Sequence, residues 1–284
     1  WQPMITMSTN GGSGAAPIVA RAADGRVTVA WVGAPDSGAD GRLIVRPDID
    51  SSAEGELHDP AGSLTIYGET PPKLTYGPDD TLYAAYLLNH AVPGKKYPVS
   101  TLRFIASTDQ RSHWTNPTTV NAEGTSPTDH ALLVAGNGTI YVTWLASLND
   151  TSHTWVTHST DSGHSWSAAS MVDTGPSCPC CRNAVAAGPD GVLYATWRRI
   201  YRDSSAVPVR DIVVAASRDH GTTGDAPVRV HQDDWRVSYC PEAGPSSQVG
   251  RDGVVHVRAH PGEVHPQMAS GGVLEVLVCG QCFG

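Results

Sequence analysis

Hydrophobic and polar positions alternate along most of this chain, and the alternation restarts at intervals. A turn and an alternating strand such as Asn137-Gly138-Thr139-Ile140-Tyr141-Val142-Thr143-Trp144 occur five times. The turns are Asp24-Gly25, Asp79-Asp80, Asn137-Gly138, Asp190-Gly191 and Asp252-Gly253. Six residues beyond each stands Trp31, Tyr86, Trp144, Trp197 or Ala259, so the anchors are 55, 58, 53 and 62 residues apart. A short apolar run precedes each turn, as in Ala131-Leu132-Leu133-Val134. Asp-Gly or Asn-Gly between two such runs predicts a hairpin, with positive φ expected at both central residues. Helical periodicity is absent, so almost no helix is expected.

Third strands are predicted at Arg42–Val45, Leu102–Ser107, Trp155–Ser159 and Ile212–Ser217, and a short fourth at Pro227–Val230. Four antiparallel strands per repeat make the blade of a β-propeller. The third strands at 102–107, 155–159 and 212–217 each run into an Asp-centred turn. Ser159-x-Asp161-x-Gly163-x-Ser165-Trp166 is complete; Ser107-x-Asp109 with Trp114 has Arg111 for Gly and His113 for Ser; Ser217-x-Asp219-x-Gly221-x-Thr223 has Gly224 for Trp.

These turns resemble the Asp box, or bacterial neuraminidase repeat, of the sialidase-like propellers, from about residue 14 to 260. The resemblance implies an all-β propeller of four-stranded blades. A sialidase has six; five anchors allow five if the C-terminus is incomplete. One domain over 1–284 is expected, with an irregular tail from about 261, and residues 1–13 are candidates for a closing strand. The segments Cys178-Pro179-Cys180-Cys181-Arg182 and Tyr239-Cys240-Pro241-Glu242, with Val209-Arg210-Asp211-Ile212, further resemble a subgroup of bacterial Asp-box proteins. The resemblance also implies export to a periplasmic, cell-surface or secreted location.

Composition changes this picture little. A formal net charge of −9 without a basic stripe argues against a nucleic-acid partner. No apolar run approaches the length of a membrane span.

Strand alternation sorts the loops. The Asp-Gly turns and the Asp boxes share one face; the inter-blade segments and the loops between second and third strands share the other. That second mouth collects Asp129-His130, the 177–182 and 239–242 segments, Arg198-Arg199 and Arg210. Sialidase chemistry needs three Arg to clasp a carboxylate bidentately, an Asp acid/base, and a Tyr nucleophile activated by a Glu. Convergence of these loops makes Arg182, Arg199 and Arg210 candidates for the clasp, Asp129 for acid/base, and Tyr239 with Glu242 for nucleophile and partner. The F-R-I-P motif that carries a sialidase's first Arg is absent. A sialic-acid-type glycan or glycoconjugate is the implied substrate, and a sialidase-like glycoside hydrolase the implied activity.

Cysteine chemistry offers another reading. Cys178, Cys180 and Cys181 enter blade four, and Cys240 enters blade five at the matching position; Cys279 and Cys282 lie in the tail. Disulfides in an oxidising compartment are one expectation. A copper or zinc site built from Cys178, Cys180, Cys181 and Cys240 with His130 is the other. The second suits a non-catalytic exported propeller that binds a metal or a partner at this mouth.

Overall fold

The structure, a computed structural model, describes residues 13–34, 41–64, 70–94, 98–110, 113–259 and 274–278. The described residues contain strands and turns and no helix. They form five antiparallel sheets, each around one of the five predicted hairpins. Their second strands are Val27–Ala34, Leu82–His90, Ile140–Leu148, Leu193–Tyr201 and Val255–Ala259. The third strands run longer than the apolar pattern suggests: Val99–Ser107, Thr151–Ser159 and Val209–Ser217. In the last sheet the third strand is Leu274–Val278, from the stretch expected to be irregular; it pairs Ala259 with Leu274 and Val255 with Val278. Residues 1–12, Arg111, Cys279 and Cys282 lie outside the described residues.

The innermost strands are Ser13–Arg21, Lys73–Tyr76, Asp129–Val134, Ala184–Ala187 and Ser246–Val249. Each lies beside the next in that order. The second sheet departs from the repeat because Ser63–Leu64 pairs with the same edge of Leu82–His90 further along. The sheet anchors Trp31, Tyr86, Trp144, Trp197 and Ala259 are all buried.

The five hairpin turns share one geometry, and it corrects the sequence expectation in one respect. Only the second turn residue has positive φ: Gly25, Asp80, Gly138, Gly191 and Gly253. The first keeps an ordinary φ and spends its side chain instead. Asp24, Asp79, Asn137, Asp190 and Asp252 each accept the N–H two residues on, at 2.9 to 3.3 Å. This is a side-chain turn closed on the main chain, which Asp and Asn form more readily than other residues.

The Asp boxes are equally alike. Asp161 accepts Ser159 Oγ at 2.7 Å, Ser165 N at 2.9 Å and Ser165 Oγ at 2.6 Å. Asp219 does the same with Ser217 and Thr223, and Asp109 with Ser107 and His113. Hydrogen bonds from Ser165 hold the Asp161 carboxyl well below its ordinary range, and those from Thr223 hold Asp219 at about 2. Gly163 is at positive φ, and a Cβ there would enter the Phe104 ring. The box thus presses its backbone against the preceding blade. Trp166 completes the contact, edge-on to Phe104 at 5.0 Å, with Nε1 donating to Thr118 Oγ1 at 3.3 Å. Gly224 holds the corresponding position one blade later, where a small apolar cavity lies between Val156, Leu193, Ala215 and Gly224.

Trp166→Ala is expected to lower stability by about 3 kcal/mol, since it empties a wedge between two blades. Gly224→Ala is expected to stay within about 0.5 kcal/mol, because a Cβ there meets only ordinary contacts. Urea unfolding followed by tryptophan emission checks both.

Candidate active site at the inter-blade mouth

Three successive inner strands open on charged or polar residues at the same mouth: Lys73, Asp129, and Arg182-Asn183 just ahead of Ala184. Asp129 is buried, at 2% exposure. Its Oδ2 accepts Asn183 N at 2.9 Å and Asn183 Nδ2 at 3.0 Å. Thr143 Oγ1 donates to Asn183 Oδ1 at 2.5 Å and so orients the amide. Asp129 Oδ1 is buried and makes no hydrogen bond among the described residues. Burial pushes the carboxyl up to about 6, against the opposing pull of the Lys73 ammonium and the Asn183 N–H. The same burial pulls Lys73 down, while Asp129 opposes it. A carboxyl raised toward neutrality can hold a proton and give it up, which an acid/base group requires.

The loops over this group are stacked on one another. Ser177 N donates to Ser152 O at 2.7 Å, and Cys178 N to Arg198 O at 2.9 Å. Thr128 Oγ1, beside Asp129, donates to Pro179 O at 2.8 Å. A Cβ on Gly244 would stand 2.1 Å from Arg182 O, so the 240–244 segment lies directly on the 182 backbone.

The other expected site residues are dispersed around this mouth. Arg182 is exposed and within electrostatic reach of Asp129 and Lys73. Arg199 is engaged elsewhere: its Nε donates to Asp173 Oδ2 at 2.6 Å, and its guanidinium lies over Tyr201. Arg210 Nη1 donates to Cys178 Sγ at 3.2 Å. The three guanidiniums therefore face three different groups. Tyr239 is 57% exposed, Glu242 is exposed with a φ of 54°, and no hydrogen bond joins them among the described residues.

Cys178 pairs with Cys181, and Cys180 with Cys240. His130 is fully buried and turned toward Ala85 O, at 3.0 Å from Nε2. The group of metal-ligating side chains among the described residues is Cys178, Cys180 and Cys181; His130 is not part of it. Burial takes the His130 imidazole down to about 3.

Sequence reasoning passed over several residues that build this face. Lys73 opens its inner strand as Asp129 does, and Asn183 directly precedes the next one. Arg198, near the end of the strand Leu193–Tyr201, also belongs to this face. It is buried beneath Trp235, donates to Arg210 O at 2.6 Å and Ala243 O at 3.3 Å, and is pulled down to about 10 by burial. Asp59, in the long segment 51–70 that joins the first repeat to the second, accepts Tyr86 Oη at 2.7 Å and Arg103 Nε at 3.1 Å and is thereby tied to the second sheet. Asp211 accepts the N–H groups of Asp234 and Trp235 and pairs with Arg229 at 3.0 Å. No local signal marks these last two as anchors rather than surface charges.

No family model and no curated protein matches the chain. Solved structures do. A protein of unknown function from Dyadobacter fermentans is 16% identical, over 95% of this chain and 80% of that one, with a TM-score of 0.61. The Penicillium chrysogenum alpha-L-arabinanase, complexed with arabinobiose, is 16% identical over 92% and 77%, with a TM-score of 0.58. The intramolecular trans-sialidase of Ruminococcus gnavus, complexed with oseltamivir carboxylate, is 11% identical over 88% and 78%, with a TM-score of 0.59. The chain has a sialidase-like propeller fold. At these identities the likeness is one of fold.

The raised Asp129 carboxyl has a consequence for stability. Its ordinary value is 3.8 and its folded value about 6, so between these the folded state holds the extra proton. Stability from this group is present below about pH 4 and is lost as pH rises to about 6. Asp129→Asn is therefore expected to gain stability relative to the parent on going from about pH 4 to about pH 7. Urea midpoints across that range measure it, and a pH-independent difference is the contrary result.

Proposed function

We propose that this protein is a glycoside hydrolase of the sialidase-like propeller type, acting on glycans that carry a carboxylate, with Asp129 as its acid/base. The observation that carries the proposal is the buried Asp129 carboxyl, raised to about 6, with one oxygen unpartnered beside Lys73 and Arg182. Below its midpoint Asp129 holds the proton a leaving glycosidic oxygen needs. Lys73 and Arg182 supply positive charge for a substrate carboxylate, with Arg199 and Arg210 in supporting roles at the same mouth. Tyr239 is the proposed nucleophile and Glu242 its partner, and substrate must bring the two together. The solved relatives that act on arabinan and on sialic acid support a glycan substrate for this fold. Two cysteine pairs support export, since such pairs persist in oxidising compartments.

The separation of Tyr239 from Glu242 favours a second reading, in which the same mouth binds a glycan or protein partner without turnover. A panel of fluorogenic α-sialosides and α-L-arabinofuranosides decides between them. The proposal expects sialoside turnover that declines above about pH 6. Asp129→Asn is expected to cut kcat by about 10³ and Tyr239→Phe by a comparable factor, with cooperative unfolding retained in both. Turnover unchanged in Asp129→Asn removes Asp129 from the mechanism. Saturable sialoside binding with no turnover establishes the second reading.

A further inference from the structure

We propose that Cys178, Cys180, Cys181 and Cys240 form a two-state sulfur centre, paired as two disulfides when oxidised and holding a d10 cation, Zn²⁺ or Cu⁺, through their thiolates when reduced. This centre borders the Asp129 site, through Thr128 and Arg210, but does not depend on the hydrolase reading.

The first argument is convergence. Two disulfides in a propeller of this size have no need to touch, yet these four sulfurs occupy one locus. Cys178, Cys180 and Cys181 place their sulfurs all within 4.8 Å of one another. Cys240 reaches the same point from the next inter-blade segment, through Cys180. Between the two pairs, Cys178 Sγ stands 3.8 Å from Cys180 Sγ. Zinc–thiolate bonds of about 2.3 Å in a tetrahedron imply sulfur–sulfur edges of about 3.8 Å. The contact between the pairs therefore already has the spacing of a shared metal.

The second argument is the surroundings. Cys178 and Cys181 are each 1% exposed, whereas Cys240 is exposed. The centre is closed on the protein side and open on one side, so a reductant and then a cation can enter. Arg210 Nη1 donates to Cys178 Sγ at 3.2 Å. A guanidinium at that distance favours thiolate over thiol and offsets part of the negative charge that four thiolates around a cation leave. The Cys178 N–H is held by Arg198 O, and the Cys181 N–H donates to Cys178 O at 3.4 Å, so the turn that carries three ligands is fixed by its own backbone. Cys178-x-x-Cys181 has the two-residue spacing with which one turn offers two sulfurs to a metal. Soft thiolates select d10 cations over Mg²⁺ or Ca²⁺.

The redox step balances simply. Each disulfide takes two electrons and two protons to become two thiols. A phosphine reductant supplies the electrons and becomes its oxide, with water giving the oxygen and the protons. The cation then displaces up to four thiol protons.

The test uses the full chain in two preparations, air-oxidised and phosphine-reduced without oxygen. Each is mixed with excess Zn²⁺ or excess Cu⁺, desalted and analysed for metal by mass spectrometry. Tryptophan emission reports whether the fold survives reduction. The expected result is about one cation per reduced chain and almost none per oxidised chain. Cys178→Ser and Cys181→Ser, both reduced, are expected to bind at least tenfold more weakly. Competition with chelators of graded affinity separates the zinc and copper arms. Co²⁺ in place of zinc is expected to give the strong visible bands of a tetrahedral thiolate site. Three results overturn the proposal: a folded, reduced chain that takes up neither cation; equal uptake when all four cysteines are Ser; or a chain that unfolds on reduction, which leaves the centre no reduced state.

Discussion

The mouth of this propeller depends on one buried interaction, the clasp between Asp129 and Asn183. Asp129 opens the inner strand of the third sheet, and Asn183 directly precedes that of the fourth. One carboxylate oxygen accepts from the backbone N–H and from the side-chain amide of Asn183, and Thr143 fixes that amide. Two sheets are thereby locked at the rim of the channel, and the chain on either side of Asn183 has little freedom. Arg182 is turned outward, the 178–181 turn is held against Thr128, and Gly244 can rest on the Arg182 backbone. The clasp satisfies only one carboxylate oxygen. A second donor on the other would lower the carboxyl toward its ordinary range.

The two faces of the molecule divide labour accordingly. On one face five hairpin turns and three Asp boxes repeat the same local hydrogen bonds, each built from residues within four positions of one another. Such turns tolerate any surroundings and make a dependable scaffold. On the other face the anchors are long-range and all different: Asp59 with Tyr86 and Arg103, Asp173 with Arg199, Asp211 with Arg229 and the 234–235 backbone, Cys180 with Cys240. Loops held individually to a rigid framework are where specificity can change without disturbing the fold.

This division also explains what could be read from the chain. The turns were legible because Asp or Asn followed by Gly carries its own mechanism, and the strands because alternation is local. Even there the detail differed, since Asp24 and its counterparts use their side chains where positive φ was expected. Asp129 and Lys73 open inner strands and Asn183 directly precedes one, so the strand pattern alone puts all three at one rim. Arg199 and Arg210 were placed on the right face, but their partners, Asp173 and Cys178, lie 26 and 32 residues away and leave no local trace. His130 follows Asp129 in sequence and points elsewhere, because successive residues of a strand face opposite sides. The split inner edge of the second sheet was hidden because the 51–70 segment carries no alternation to mark Ser63-Leu64 as a strand.

The character of this mouth depends on the protonation of one carboxyl, and that can be observed directly. The Asp129 carboxyl carbon should be followed by ¹³C NMR against pH, with its resonance identified by its loss in Asp129→Asn. A midpoint near 6 is the predicted result and leaves the mouth with an acid poised for proton transfer. A midpoint at or below the ordinary 3.8 would mean that Asp129 is a permanently charged strut of the clasp, and would contradict the catalytic reading of this site.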